Sequence, residues 1–158
     1  MEAFMTLPIL LERGDVYFNI RGSNGPEAIK SLVRVLRPAR PLDKEALFES
    51  LVEREELGST AIGSGFAIPH PRKFYYQDKE SACLAIAYLD QPVEWSALDG
   101  KPVTCLFLVL SADTKDHLAT LSELARLAEL PEFSRFIAKK PSKQALLEFL
   151  TNPLIPSP

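Results

Sequence analysis

The spacing of apolar positions divides the chain into short strands and amphipathic helices. Val16-Tyr17-Phe18-Asn19-Ile20 is a run of strand-forming types, closed by the turn cluster Gly22-Ser23-Asn24-Gly25-Pro26. Ala28, Ile29, Leu32, Val33 and Leu36 then recur at helical spacing, with Pro26 in the first turn and Pro38 and Pro41 closing the segment. A second helix is predicted from about Asp43, with Ala46, Leu47, Leu51 and Val52 on one face and Gly58 as its stop. Ala82 to Leu89 and Val103 to Leu110 are unbroken apolar runs, which fit strands covered on both faces. Asp99-Gly100 between them suits a tight connection. A long helix is expected from about Thr114, with Leu118, Leu121, Leu124, Ala125 and Ala128 as its stripe. A short helix around Phe133, Phe136 and Ile137 and a last one from Lys143 to Leu150 follow. The pattern is α/β: a single domain over residues 1–158, with a mixed sheet flanked by helices, a core from about 6 to 151 and a flexible tail from 152.

Composition narrows the class of function. The 158 residues carry a net charge of −3, with no basic run, so nucleic acid is not an expected partner. No apolar segment is long enough to span a bilayer, so membrane insertion is not expected, and a cytoplasmic location follows by default. Cys83 and Cys105 lie inside apolar runs and read as reduced core residues. Trp95 reads as a core residue.

Candidate chemistry gathers at the two histidines. His70 stands between Pro69 and Pro71, whose rings fix two φ angles and hold the imidazole in one direction, as a nucleophile needs. Local geometry alone fits an ordinary loop histidine equally well. His117 falls in the first turn of the long helix, at the third position if Thr114 is the N-cap, with Asp113 as the other candidate cap. It lies on the side of Leu121 and Leu124. A neutral histidine donating to a phosphate would suit the positive helix end, and a capping histidine without a role would suit it too. Arg54 ends a helix, where any cation is favourable, yet a guanidinium is also a natural fork for phosphate oxygens. Ser59 and Thr60 offer hydroxyls, and Gly63 and Gly65 allow unusual backbone angles and close approach. The glycines match neither a Walker loop nor GxGxxG.

As one string, Arg54-Glu55-x-Leu57-Gly58-Ser59-Thr60-Ala61-Ile62-Gly63-x-Gly65-Phe66-Ala67-Ile68-Pro69-His70 resembles the active-site signature of phosphotransferase-system (PTS) enzyme IIA domains of the fructose–mannitol–nitrogen type, type 2. Pro92-Val93-x-Trp95-x-Ala97-x-Asp99-Gly100-x-Pro102-Val103 resembles a further segment of the same family, and His117-Leu118 stands where the family places its second histidine. The resemblance implies the phosphotransferase–anion transport protein fold. It also implies phosphorylation of His70 by a histidine phosphocarrier protein of the HPr or NPr kind. Arg54 and His117 would steady the phosphoryl oxygens, and Ser59, Thr60, Gly63 and Gly65 would line the phosphoryl-binding loop, with no metal or cofactor. Ala61 and Phe66 depart from the usual glycine and β-branched residues, and Ala61 is expected to restrict the loop. Pro71-Arg72 and Glu12-Arg13-Gly14-Asp15-Val16-Tyr17 are similar to regulatory, nitrogen-PTS-like members, without a fused DNA-binding or permease module.

The downstream partner is then a regulatory target, or the permease subunit of a sugar transporter. A non-catalytic binding module would keep the fold but have no need of His70, Arg54 and His117 together. A hydrolytic enzyme is disfavoured because residues 58–72 contain no Asp or Glu.

Overall fold

The computed structural model describes residues 6–38, 40–74 and 78–152. In chain order they form α1 (Thr6–Arg13), β1 (Asp15–Ile20), α2 (Gly25–Val35), α3 (Lys44–Leu57), β2 (Ala61–Gly63), β3 (Phe66–Ala67), β4 (Cys83–Val93), β5 (Val103–Leu110), α4 (Thr114–Ala128), α5 (Pro131–Ile137) and α6 (Lys143–Leu150), with a 3₁₀ turn at Lys79–Ser81. The strands make one five-stranded sheet in the order β1-β4-β5-β3-β2. It is mixed: β1 runs parallel to β4 and β3 parallel to β5, while the β4–β5 and β2–β3 pairs are antiparallel.

The apolar runs are continuous because both faces of the central strands are covered. Side chains alternate across a strand. Leu84, Ile86 and Tyr88 of β4 and Cys105, Phe107 and Val109 of β5 therefore enter the core under α1, α4, α5 and α6. Ala85, Ala87 and Leu89, with Leu106, Leu108 and Leu110, enter a second core under α2 and α3. A residue of either parity has an apolar layer to enter. Phe66, where the family prefers a β-branched residue, packs against Phe107 and Phe133 with centroids 5.4 and 5.6 Å away. Cys105 is buried, Cys83 half-buried, and neither forms a disulfide.

Several elements differ from the sequence pattern. Helix α1 is absent from the pattern-based expectation; Leu7 and Leu11, one turn apart, are its fully buried residues. The glycine-punctuated stretch after α3 holds two short strands rather than an open loop, and Ala61 lies in β2 opposite Ala67, where alanine needs no unusual backbone angle. Strand β4 continues past Leu89 to Val93 after an irregularity in its pairing with β5. In α4 the buried stripe is Thr120, Leu124, Leu127 and Ala128, while Leu118 is 60 % exposed. Thr120 tolerates burial because its hydroxyl donates to the Asp116 carbonyl one turn back, at 2.9 Å. The expected tail lies outside the described residues, save residue 152.

One carboxylate ties the pieces that carry the site. Glu55, in the last turn of α3, accepts from the Thr60 amide at 3.1 Å, from the Thr60 hydroxyl, and from Trp95 Nε1 at 2.9 Å. Trp95 is 5 % exposed and so is a core residue, one whose indole N–H has found its acceptor. Glu55 thus joins α3, the approach to β2 and the segment after β4. Glu55→Ala leaves a buried indole N–H and a buried threonine hydroxyl without their acceptor. We expect a loss of about 2 kcal/mol, seen as a fall in Tm of roughly 4–8 °C by calorimetry.

Candidate functional site

The strand order brings the two histidines together. Because β3 and β5 are parallel, the chain leaves both at the same edge of the sheet. Past β3 the pairing persists, with the Val109 amide donating to the Pro69 carbonyl at 3.1 Å. His70 is the next residue. Past β5, Ser111 and Asp113 lead into α4, whose first turn carries His117. The two imidazoles meet edge to face, with centroids 4.8 Å apart and planes at 62°.

The hydrogen bonds of His70 define its tautomer. Nδ1 lies 2.8 Å from the Ile68 carbonyl, which can only accept, so Nδ1 carries the hydrogen. Nε2 receives the Arg54 Nε–H at 3.1 Å, and a guanidinium can only donate, so Nε2 holds the lone pair. Arg54 is held in turn by its Nη1–H, donated to the Gly58 carbonyl at 2.7 Å. That carbonyl lies just past the end of α3, where a cation is favoured by the helix dipole. The last turn of α3 therefore aims one guanidinium at both its own helix end and His70 Nε2.

His117 is oriented by other means. Asp113 caps α4, accepting from the Asp116 amide at 2.8 Å, so His117 occupies the fourth helical position rather than the third. Its amide donates to the Asp113 carbonyl, which leaves the ring as the part of His117 that faces the site. Nδ1 lies 2.9 Å from Ser111 Oγ. Phe74 packs edge to face on the ring at 5.8 Å.

Both imidazoles are held neutral. Burial lowers the pKa of His70, and the Arg54 charge lowers it further, partly offset by the Ile68 carbonyl and Glu55. His117 falls to about 4, first from burial, then from the neighbouring His70 and Arg54. The pair is a cationic neighbourhood without a cation on either ring, open to an incoming anion.

The structure brings Arg54, His70 and His117 together and places the other candidates around them. The Ser59 hydroxyl donates to the Trp95 carbonyl and accepts from the Ala61 amide at 3.1 Å. The Thr60 hydroxyl is committed to Glu55. Gly63 and Gly65 sit at φ +90° and +85° in the β2–β3 turn, with Ser64 between them at φ +58°. Asp99 caps this turn from across the sheet, accepting from the Ser64 amide at 2.9 Å. A β-carbon on Gly63 would stand 3.2 Å from the Asp99 carboxylate. These residues shape the segment that carries His70.

Sequence reasoning missed the Ile68 carbonyl, Ser111, Phe74 and the part played by Glu55. None carries a local signal: a backbone acceptor is invisible in sequence, and the other three act through contacts that packing creates. Among the described residues no group of three or more His, Cys, Asp or Glu side chains is placed to hold a metal ion. No described helix is long and apolar enough to cross a membrane.

Residues 9–152 match the family model described as "Phosphoenolpyruvate-dependent sugar phosphotransferase system, EIIA 2". The chain is 34 % identical to a nitrogen regulatory protein of Pseudomonas aeruginosa over 146 residues, covering 90 % of this chain and 93 % of that one. It is 35 % identical to the nitrogen regulatory protein of Escherichia coli over 153 residues, covering 96 % and 93 %. The crystal structure of nitrogen regulatory protein IIA-Ntr from Neisseria meningitidis superposes with a TM-score of 0.79 at 27 % identity, over 92 % of this chain and 99 % of that one. Family members are phosphotransfer components. The chain belongs to the EIIA type 2 family of the phosphoenolpyruvate-dependent sugar phosphotransferase system, and within it is related to the nitrogen regulatory proteins.

Proposed function

We propose that this chain accepts a phosphoryl group on Nε2 of His70 from a histidine phosphocarrier protein and uses it as a regulatory signal. The observation that carries the reading is the division of the His70 ring, with Nδ1–H pinned to a carbonyl and the Nε2 lone pair facing Arg54.

The transfer follows from these contacts. Arg54 releases Nε2 as the donor's phosphohistidine arrives, and its guanidinium passes to the equatorial oxygens. The Nε2 lone pair forms the new P–N bond. The donor's P–N bond breaks, and its electron pair returns to the donor's imidazole. Positive charge develops on the His70 ring and is shared through Nδ1–H with the Ile68 carbonyl. His117, neutral at the start, donates an N–H to a phosphoryl oxygen. The arriving group brings roughly −1.5 to −2 charges, which favours proton uptake by His117. Ser59, Thr60, Gly63 and Gly65 hold the loop that fixes the approach. No step needs a metal or cofactor.

A regulatory role is favoured by the nitrogen regulatory relatives and by Pro71-Arg72. Pro71 is buried, and the Arg72 amide donates to Ser50 Oγ at 2.9 Å, which sews the segment after His70 to α3. The downstream partner is a protein that reads the charge on His70.

Incubation with phosphorylated carrier is expected to label wild type at His70 and to leave His70→Ala unlabelled. Label retained by His70→Ala overturns the assignment. Arg54→Ala and His117→Ala each remove one donor to the developing charge and are expected to slow uptake on the order of 10²-fold, measured by single-turnover transfer.

Acid stability follows from the same rings. A histidine whose pKa is lowered by folding binds its proton more readily in the unfolded chain, so stability falls as pH drops. For His117 the window runs from the ordinary value of 6.5 down to about 4. His70 shifts in the same direction. Thermal melts from pH 7 to 4.5 are expected to show Tm falling across this window, with a shallower fall in His117→Gln.

A further inference from the structure

We propose that the free edge of β1, with α2 beside it, is a docking groove for an extended acidic segment of a partner protein. The groove is separate from the histidine pair, and the proposal does not rest on the relay reading.

β1 is an outer strand of the sheet: β4 pairs with one side of it and, among the described residues, no strand pairs with the other. The open side of an edge strand carries backbone N–H and C=O groups that another extended chain can pair with. Here that side faces a groove of about 540 Å³, lined along the strand by residues 16–21 and on the helix side by Ser31, Arg34, Val35 and Arg37. Asn19, at φ +57°, coincides with the shift in pairing register between Tyr17 and Ile20, so the edge suits a short added strand rather than a long one.

Charge selects the occupant. The chain holds 21 acidic residues against 18 basic ones, yet the groove is lined by three arginines and no carboxylate. Arg37 is answered by Asp15 at 2.7 Å. Arg21 reaches Asp90 only at 3.9 Å, with both side chains in solvent. Arg34 forms an ion pair with no acidic side chain among the described residues. One end of the groove already shows the chemistry: the Asp15 carboxylate accepts from the Val16 amide at 2.8 Å and from Arg37. A β1 amide and an arginine thus hold one carboxylate between them.

The apolar parts fit an extended chain. Phe18 and Val35 are 47 % and 44 % exposed. Phe18 leans on Tyr88 of the first core, with centroids 5.2 Å apart, whereas Val35 belongs to α2, which covers the second. Successive side chains of an added strand point to opposite faces, so one set meets Phe18 and the next meets Val35 and Arg34. A second copy of this chain would bring the same three arginines against these three, and like charges repel. An acidic strand from another protein meets no such opposition.

Sheet order keeps this groove clear of the histidines. β4 and β5 lie between β1 and β3, a separation of three ladder spacings or about 14 Å. A segment docked on β1 therefore leaves His70 open.

The probe is a short fluorescein-labelled peptide of alternating Glu and Val. Fluorescence anisotropy is expected to show saturable binding to wild type and binding about tenfold weaker to Arg34→Glu and to Val35→Glu, whose side chains stand in solvent. The same peptide with Lys for Glu is expected not to bind. An N-methylated acidic peptide, which has lost backbone donors, is expected to bind about tenfold more weakly than its parent. In ¹H–¹⁵N spectra the acidic peptide is expected to shift the amides of residues 16–21 and 31–37 and to leave those of His70 and His117 in place. Single-turnover uptake from phosphorylated carrier is expected to be the same with the groove filled, or with Arg34→Glu, as in free wild type. Absence of saturable binding up to about 1 mM, equal binding of the Lys or N-methylated peptide, or shifts centred on His70 overturns the proposal. So does a dimer in sedimentation that Arg34→Glu abolishes, since a second copy is then the occupant. Slower uptake with the groove filled overturns it as well, because the carrier itself then uses this surface. Binding that meets these expectations while wild-type His70 takes no label upholds the groove and overturns the relay alone.

Discussion

A carbonyl only accepts and a guanidinium only donates, and the imidazole of His70 sits between one of each. That arrangement leaves no choice of tautomer: the Ile68 carbonyl takes Nδ1–H and Arg54 faces the Nε2 lone pair. The rest of the site depends on it. A histidine free to exchange its hydrogen between nitrogens would offer its lone pair in two directions, and neither Arg54 nor His117 could be placed to serve both. Arg54 meanwhile occupies that lone pair with its Nε–H.

The electrostatics of the pocket reinforce this. Two imidazoles with centroids 4.8 Å apart beside an arginine cannot comfortably both be charged. Burial and the neighbouring guanidinium keep them neutral, so that in the proposed transfer one would serve as nucleophile and the other as hydrogen-bond donor. Arg54, a fixed cation, stands beside two neutral rings, each able to gain a hydrogen bond or a proton.

The fold positions these groups through the parallel pairing of β3 with β5. Parallel neighbours end at the same edge of a sheet, and residues that follow them emerge side by side. That single topological fact places His70, 47 positions earlier in the chain, against His117. Glu55 then fixes the third partner by tying the last turn of α3 to Thr60 and Trp95, so that Arg54 is held while the segment carrying His70 passes beneath it.

Much of this was legible in the order of residues. Alternating and helical spacing yielded α2, α3, the central strands and the final helices, because burial imposes a period on each. The string from Arg54 to His70, with His117, carried the family resemblance, and the structure brings Arg54, His70 and His117 together. What stayed hidden depended on contacts distant in sequence. Helix α1 is defined by packing more than by pattern. The buried side of α4 was settled by what it packs on, so Leu118 went to solvent and Thr120 inward. The hydroxyls of Ser59 and Thr60 could be assigned partners only once Trp95 and Glu55 stood beside them. The donor to His70 Nε2 and the partner of His117 Nδ1 are likewise tertiary facts, because which group reaches a ring nitrogen is decided by how the elements pack and leaves no mark on the residues next to it in the chain.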